Sequence, residues 1–420
     1  MADSPVQSLG FAGLDTPLRV ANPAVVRPLL DPVMAAWPFT VTENDPPASA
    51  AFATISPAET GKWRLEAPLA AKPVTEYDPV NAICDLVVEM SWERLRSRPD
   101  LLCLHAAALT FNDRLVIFPN ARRAGKSLLS ATLAQRGHAV FSDDFVLLQV
   151  TPQTGAISGI ANGIAPRLRL PLPDNLSATL HSWIMDRIAV RNKQYGYLTG
   201  IDLPQSGTTA PVGAIVVLEG DPTMTEPASL TPVTQEAAMA SLVTQNFGRQ
   251  VHAGAILRVA EALTRTVPVL RLRYNSVEDA AALLHETPLL RDLPAAQMAE
   301  ADMSATLPLA PLDLPDVMVD RPVDLDCHFA KLPDFTALET GTALYLADGD
   351  GFAIHRLNPV SAIIWTLLDE GLTGAEMAEV MQELYGDVPA ERLRADVAGA
   401  LEFLWQERLI APCSTRQMEV

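Results

Sequence analysis

The chain has 420 residues, 49% of them hydrophobic and 19% charged, enough for two or three domains with their own cores and too apolar for a disordered polymer. A formal net charge of −19 excludes a surface built to neutralise nucleic-acid phosphates or to dock on anionic lipid, so neither partner is expected. The four cysteines, Cys84, Cys103, Cys327 and Cys413, lie far apart without C-x-x-C spacing, and residues 1–10 lack a basic stretch followed by an apolar core; buried free thiols in a soluble cytoplasmic protein are expected.

Residues 1–76 alternate short apolar stretches with Pro and Ala and read as a strand-rich N-terminal portion. Asp78-Pro79 then offers an N-cap and an N1 proline, predicting a helix whose Val80, Ile83, Cys84, Val87 and Val88 share one face. From Leu101 to Leu148 the expected order is strand, strand, loop, helix, strand, strand, with the helix begun at Gly125 and closed at Gly137, a residue suited to the position after a C-cap. Phe145–Leu148 and Gly213–Leu218 are continuous apolar runs of the kind buried inside a sheet, so a layered α/β domain is predicted over 77–287.

Residues 288–326 are rich in Pro, Ala and Asp and read as an extended connector. Beyond it, Thr336–Glu339, Ala343–Leu346 and Phe352–Leu357 read as three strands, the last two joined by a turn over Asp348–Gly351. Three helices follow. The first opens at Asn358-Pro359 with Val360, Ile363, Ile364, Leu367 and Leu368 as its apolar stripe. The second opens on a Thr373–Glu376 capping box, and the third carries Leu393, Val397, Leu401, Leu404 and Trp405 on one face. Three strands and three helices make a compact winged-helix-like module over 327–412. A DNA-binding role is disfavoured because the third helix sets Glu391, Asp396, Glu402 and Glu407 against Arg392, Arg394 and Arg408.

The chemistry centres on Asn120, Ala121, Arg122, Arg123, Ala124, Gly125, Lys126, Ser127 and Leu128, between the apolar run Leu115–Phe118 and the helix. Loop N–H groups there can take phosphate oxygens, Lys126 can neutralise charge and the Ser127 hydroxyl can reach Mg²⁺, which points to a nucleoside triphosphate. The pair Asp143 and Asp144 ends the next strand, the context this motif requires. Arg167 and Arg169, two apart on a strand, face one side and are candidate anion contacts.

The stretch from Leu104 and His105 to Asp144 resembles the catalytic core of the HPr kinase/phosphorylase family: a histidine ahead of the loop strand, a Walker A lysine 21 positions later, and aspartates 17 and 18 beyond it. The resemblance covers about residues 75–285. It implies a phosphoenolpyruvate-carboxykinase-like P-loop fold in which Lys126 holds the β- and γ-phosphates of ATP, Ser127 coordinates Mg²⁺, Asp143 takes the acceptor's proton and His105 orients that carboxylate. Asp144 is left as a metal-site or structural carboxylate. Asn120 stands where the family has its first loop glycine, Leu128 where it has an acidic metal ligand, and the Arg-Gly-x-Gly signature after the aspartates is missing, which points away from HPr as substrate.

Residues 327–412, through Phe352–Pro359, Ile364-Trp365, Leu368–Gly371, Tyr385 and Asp396–Ile410, resemble the PqqD family. That resemblance implies a leader peptide adding as a strand beside Phe352, Ile354 and Arg356, with Leu393, Arg394 and Val397 as groove wall. The fusion implies an ATP- and Mg²⁺-dependent kinase acting on a Ser or Thr hydroxyl of a ribosomally made precursor peptide, with other peptide-modifying enzymes and a second copy of the chain as further partners. Two alternatives stay open: a non-catalytic nucleotide-binding peptide chaperone, and a kinase of a small-molecule hydroxyl.

Overall fold

The computed structural model describes residues 5–43, 47–59, 61–98, 100–119, 124–246, 253–299, 323–333, 335–341, 343–347 and 353–413. The chain is a mixed α/β protein of two compact units, Met1–Gly248 with Glu261–Met303, and Arg249–Ala260 with Ser304–Val420. No helix among the described residues is long and apolar enough to cross a membrane. All four cysteines are free: Cys84 and Cys103 are buried as expected, whereas Cys327 and Cys413 are half-buried.

The first unit opens with strands β1 (Val6–Phe11), β2 (Leu18–Ala21), β3 (Phe39–Thr42), β4 (Ala53–Pro57), β5 (Trp63–Glu66) and β6 (Val74–Tyr77), in the order β3-β1-β2-β4-β5-β6. Helix α1 (Pro23–Val33) lies between β2 and β3, inside the portion expected to be strand-rich, and holds Pro28 and Pro32 in its interior. Burial of Val26, Leu30 and Val33 against the sheet outweighs the missing N–H groups. Helix α2 (Pro79–Ser97) begins as expected, the Asp78 side chain accepting from the N–H groups of Val80 and Asn81 at 3.1 and 3.4 Å. Its Ile83, Leu86 and Met90 join Leu9, Leu18 and Ile55 in one core.

A larger sheet follows, built from β7 (Leu102–Phe111), β8 (Arg114–Pro119), β9 (Val140–Ser142), β10 (Phe145–Val150), β11 (Ile157–Ile160), β15 (Thr209–Gly220), β16 (Ser229–Pro232) and β17 (Val269–Tyr274). Its order is β11-β10-β7-β8-β15-β17-β16, with β9 also on β7. Strands β8, β15 and β17 are parallel, so Pro119 and Tyr274 end at one edge, and β11 also pairs antiparallel with the start of β15. Helices α3 (Lys126–Gln135), α4 (Ala178–Met185) and α7 (Val277–Glu286) bury Leu129, Leu133, Leu180, Ile184, Ala280 and Leu284 in the core this sheet shares. A small sheet of β12 (Arg167–Arg169), β14 (Tyr195–Leu198) and β13 (Ile188–Arg191) completes the unit, with α5 (Gln235–Thr244), and α6 is Ala253–Thr266.

In the second unit β19 (Thr336–Thr340), β20 (Ala343–Ala347) and β21 (Ile354–Leu357) form an antiparallel sheet, and α8 (Pro359–Leu367), α9 (Gly374–Leu384) and α10 (Ala390–Gln406) pack on it. Asn358 caps α8 by accepting from the Ser361 N–H, and the Thr373/Glu376 capping box is formed. Phe352 and the expected turn over Asp348–Gly351 lie outside the described residues. One element was not anticipated: β18 (His328–Lys331) pairs antiparallel with β22 (Ile410–Cys413), each too short for alternation to register as a strand in the sequence.

Candidate functional site

The loop from β8 enters α3 through Gly125, whose φ of +88° is a left-handed conformation that only glycine adopts without strain. Lys126 follows as the first helical residue and is only 8% exposed, while Ser127 and Leu128 are half-buried in the first turn. The N–H groups of this turn have no partner within the helix and face its N-terminus, the arrangement that takes a phosphate oxygen. Asn120, Ala121, Arg122 and Arg123 lie outside the described residues, so the chain places Ala124–Leu128 of the expected phosphate loop. Gly125→Ala is expected to weaken nucleotide binding, because the alanine carries about 1–2 kcal/mol of backbone strain and its Cβ would come 2.7 Å from the Tyr274 hydroxyl. Titration with a fluorescent ATP analogue checks this.

Asp143 and Asp144 occupy the bend between β9 and β10, pinned from below by Ser142. The Ser142 hydroxyl accepts from the Phe145 N–H at 3.1 Å and from Asn162 Nδ2 at 3.1 Å, and donates to the Phe145 carbonyl at 2.6 Å. The two aspartates then part. Asp143 is 6% exposed; its Oδ2 accepts from the Arg167 backbone N–H at 3.1 Å, and its Oδ1 is buried without a hydrogen-bond partner among the described residues. Burial and, next, the charge of Asp144 push its carboxyl up to about 6, against smaller opposing effects of the Ser127 hydroxyl and Arg167. Asp144 sits between His105 and Arg167, Oδ1 2.9 Å from His105 Nε2 and Oδ2 3.2 Å from Arg167 Nη2. Burial works to raise its carboxyl, but the His105 hydrogen bond and the charges of Arg167, His105 and Lys126 outweigh it and hold it below the usual range.

This corrects one expectation: His105 touches Asp144, not Asp143. The antiparallel pairing of β7 with β10 sets His105 opposite Phe145, which brings its ring to the Asp144 side of the bend. The structure therefore joins His105, Lys126, Ser127, Asp143, Asp144 and Arg167 in one place, with one free carboxylate oxygen among them. Arg167 does two jobs: its backbone holds Asp143, and its guanidinium holds Asp144 while lying 4.9 Å from the centroid of the Tyr195 ring. Arg169, on the same face of β12, is exposed and contacts neither aspartate among the described residues.

Three contributors escaped the sequence reading. Tyr197, 2% exposed, donates its hydroxyl to Cys84 Sγ at 3.3 Å; Asn162 buttresses Ser142; and Tyr274 donates to the Ala124 carbonyl at 3.0 Å. Each is a single residue far along the chain with no motif around it, so no local signal marks it. No group of three or more His, Cys, Asp or Glu side chains able to hold a metal occurs among the described residues. The donor set nevertheless suits Mg²⁺, which takes one or two protein oxygens and completes its shell with water and substrate phosphate. Ser127, its hydroxyl beside Asp143, would supply the protein oxygen, while Asp144, both oxygens engaged, would lend its charge.

In the second unit Ile354 is half-buried and Arg356 exposed on β21, which borders only β20 among the described residues and so ends the sheet there. Arg394 is exposed on α10. Leu393 and Val397 are corrected: at 3% and 0% exposed they belong to the domain core, because the apolar stripe of α10 faces inward, and neither forms a groove wall.

Residues 344–410 match the family model described as coenzyme PQQ synthesis protein D (PqqD). No curated protein matches the chain. Among solved structures, one similar to this chain is a lasso peptide synthetase B1 complexed with the leader peptide, at 24% identity over 20% of this chain and 99% of that one, with a TM-score of 0.19. TbiB1 in complex with the TbiA(beta) leader peptide is 19% identical over 20% of this chain and 98% of that chain, also with a TM-score of 0.19. The Hpr(Ser) kinase/phosphatase from Coxiella burnetii is 16% identical over 45% of this chain and 93% of that chain, with a TM-score of 0.22.

Proposed function

We propose that the chain is a kinase that moves the γ-phosphoryl group of ATP onto a Ser or Thr hydroxyl of a precursor peptide held by its PqqD-like unit. The observation that carries this reading is Asp143: a buried carboxylate with one free oxygen, raised to about 6, beside the lysine and serine of a phosphate-loop helix. Such a group is ionised at neutral pH yet close enough to it to accept a proton readily, which is what a general base needs. Residues 77–287 are read as the catalytic part, 1–76 as a strand-rich extension of it, 288–326 as a connector and 327–412 as the peptide-binding part.

In this reading Asp143 Oδ1 accepts the acceptor's hydroxyl proton while the hydroxyl oxygen bonds to the γ-phosphorus and the bond to the ADP oxygen breaks. Lys126 and the N–H groups opening α3 meet the charge on the phosphates. His105 and Arg167 keep Asp144 ionised and fixed, and that negative charge in turn holds Asp143 basic. Ser127, with Asp144 nearby, would hold Mg²⁺, which would further neutralise phosphate charge. Arg169, exposed one turn of the pleat beyond Arg167, would meet anionic parts of an incoming substrate. On the peptide side, β21, which pairs only with β20 among the described residues, is the edge beside which a strand would add near Ile354 and Arg356, with Arg394 on α10 as a charged contact. Tethering the two activities in one chain raises the local concentration of acceptor without requiring tight contact at the catalytic centre.

The test is transfer of label from γ-labelled ATP, with Mg²⁺, to short peptides encoded beside the gene, with the modified residue located by mass spectrometry. Transfer to a Ser or Thr hydroxyl is expected; transfer to a small molecule alone, or nucleotide binding without transfer to any of them, contradicts the reading. Ile354→Pro removes a backbone donor from β21 and is expected to abolish peptide binding while ATP affinity stays within about twofold, since the two units have separate cores. Fluorescence polarisation with labelled peptide and calorimetry with ATP read the two effects separately.

A further inference from the structure

We infer that Tyr274 is a positioning residue for nucleotide binding, acting as a strut that fixes the exit of the phosphate loop through its hydroxyl; this rests on the nucleotide-binding reading of that loop. Four observations converge on it. The Tyr274 hydroxyl donates to the Ala124 carbonyl at 3.0 Å, which fixes the peptide unit leading into Gly125. Gly125 must be glycine twice over, since besides its φ of +88° any Cβ there would stand 2.7 Å from the Tyr274 oxygen. The ring in turn rests on bare backbone: a Cβ on Gly220 would lie 3.3 Å from Tyr274 Cζ and 3.4 Å from its hydroxyl oxygen. The tyrosine's own carbonyl accepts from the Asp221 N–H at 2.8 Å, tying its main chain to the end of β15.

These contacts run from the ends of β15 and β17 to the start of α3, along the edge where the parallel strands finish. A peptide plane held at its carbonyl cannot rotate, so the N–H of Gly125 on its other side keeps one direction. That direction decides whether it faces a phosphate oxygen, because a hydrogen bond weakens steeply below about 120°. The phenol is buried and its pKa pushed up to about 12, so it stays protonated and remains a donor throughout the working range. A tyrosine that served packing alone would need neither the hydroxyl bond nor two glycines at its contacts.

Tyr274→Phe keeps the ring and deletes only the hydroxyl. In the full chain, calorimetric titration with ATP in magnesium buffer is expected to give a Kd about tenfold weaker than wild type, the equivalent of one hydrogen bond, with only a small drop in the melting temperature of the nucleotide-free protein, which loses the same bond to Ala124. Gly220→Ala, whose Cβ crowds Tyr274 Cζ and the hydroxyl oxygen while leaving the phenol itself in place, is expected to weaken Kd in the same direction and serves if the first variant does not fold. Equal Kd values for wild type and either folded variant would overturn the strut while leaving the nucleotide reading intact. No ATP uptake by the wild type would remove both.

Discussion

Asp143→Asn is expected to bind ATP with magnesium as the wild type does and to lose phosphoryl transfer by about 10²–10⁴-fold, the usual contribution of a positioned general base. The amide retains an acceptor for the Arg167 N–H but cannot accept the hydroxyl proton that Asp143 Oδ1 would take. In the wild type, transfer should fall about tenfold per pH unit once pH drops below about 6, as Asp143 protonates. The same substitution has a second, opposite effect on stability. A carboxyl whose pKa is raised on folding from 3.8 to about 6 binds its proton more tightly in the folded state, so the ionised form destabilises the fold above pH 6. That penalty shrinks as pH falls through 6 and is gone below about 3.8. Asp143→Asn should therefore be more stable than wild type at pH 8, by on the order of 3 kcal/mol, with the gap closing toward pH 4. Denaturant melts at the two pH values check it, and an inactive but stabilised variant is the signature of a functional carboxylate held in an unfavourable place.

Lys126→Ala should have the largest effect on nucleotide affinity. The lysine is 8% exposed at the first position of α3, so water would make up little of its lost charge. Truncating one side of a buried, hydrogen-bonded charge pair is worth about 2–4 kcal/mol, or about 30- to 1,000-fold in Kd. Lys126→Arg should recover little, because the broad guanidinium does not fit a position built for a compact ammonium. Removing the lysine also removes one of the charges that lower Asp144, so the Asp144 carboxyl should titrate at higher pH in Lys126→Ala. Titration followed by carbon NMR of labelled aspartate reads that shift without any assay of activity.

What could be read from the sequence was what is local. Asp78-Pro79, Gly125, Gly137, Asn358-Pro359 and Thr373–Glu376 each carry their own backbone instruction, and the helices they bound appear where expected. The chemical trio of Lys126, Ser127 and the aspartate pair was legible for the same reason, since a loop, a helix start and a strand end are adjacent in sequence. Long-range geometry was not. Whether His105 meets Asp143 or Asp144 depends on the register of β7 against β10, and Tyr274 reaches Ala124 only because β17 joins the sheet parallel to β15. Leu393 and Val397 were misread as groove because the stripe that makes a helix amphipathic does not say which side a peptide will approach. Helix α1 defied its internal prolines because burial of three side chains outweighed propensity.

A phosphate-holding helix start beside a basic buried carboxylate is the central feature proposed for this chain, and calorimetric titration of the full chain with ATP in magnesium buffer tests it most directly. Saturable uptake of one nucleotide per chain, retained by Asp143→Asn and lost in Lys126→Ala, is the predicted result. Absence of uptake by the wild type, or uptake that survives Lys126→Ala unchanged, would contradict it.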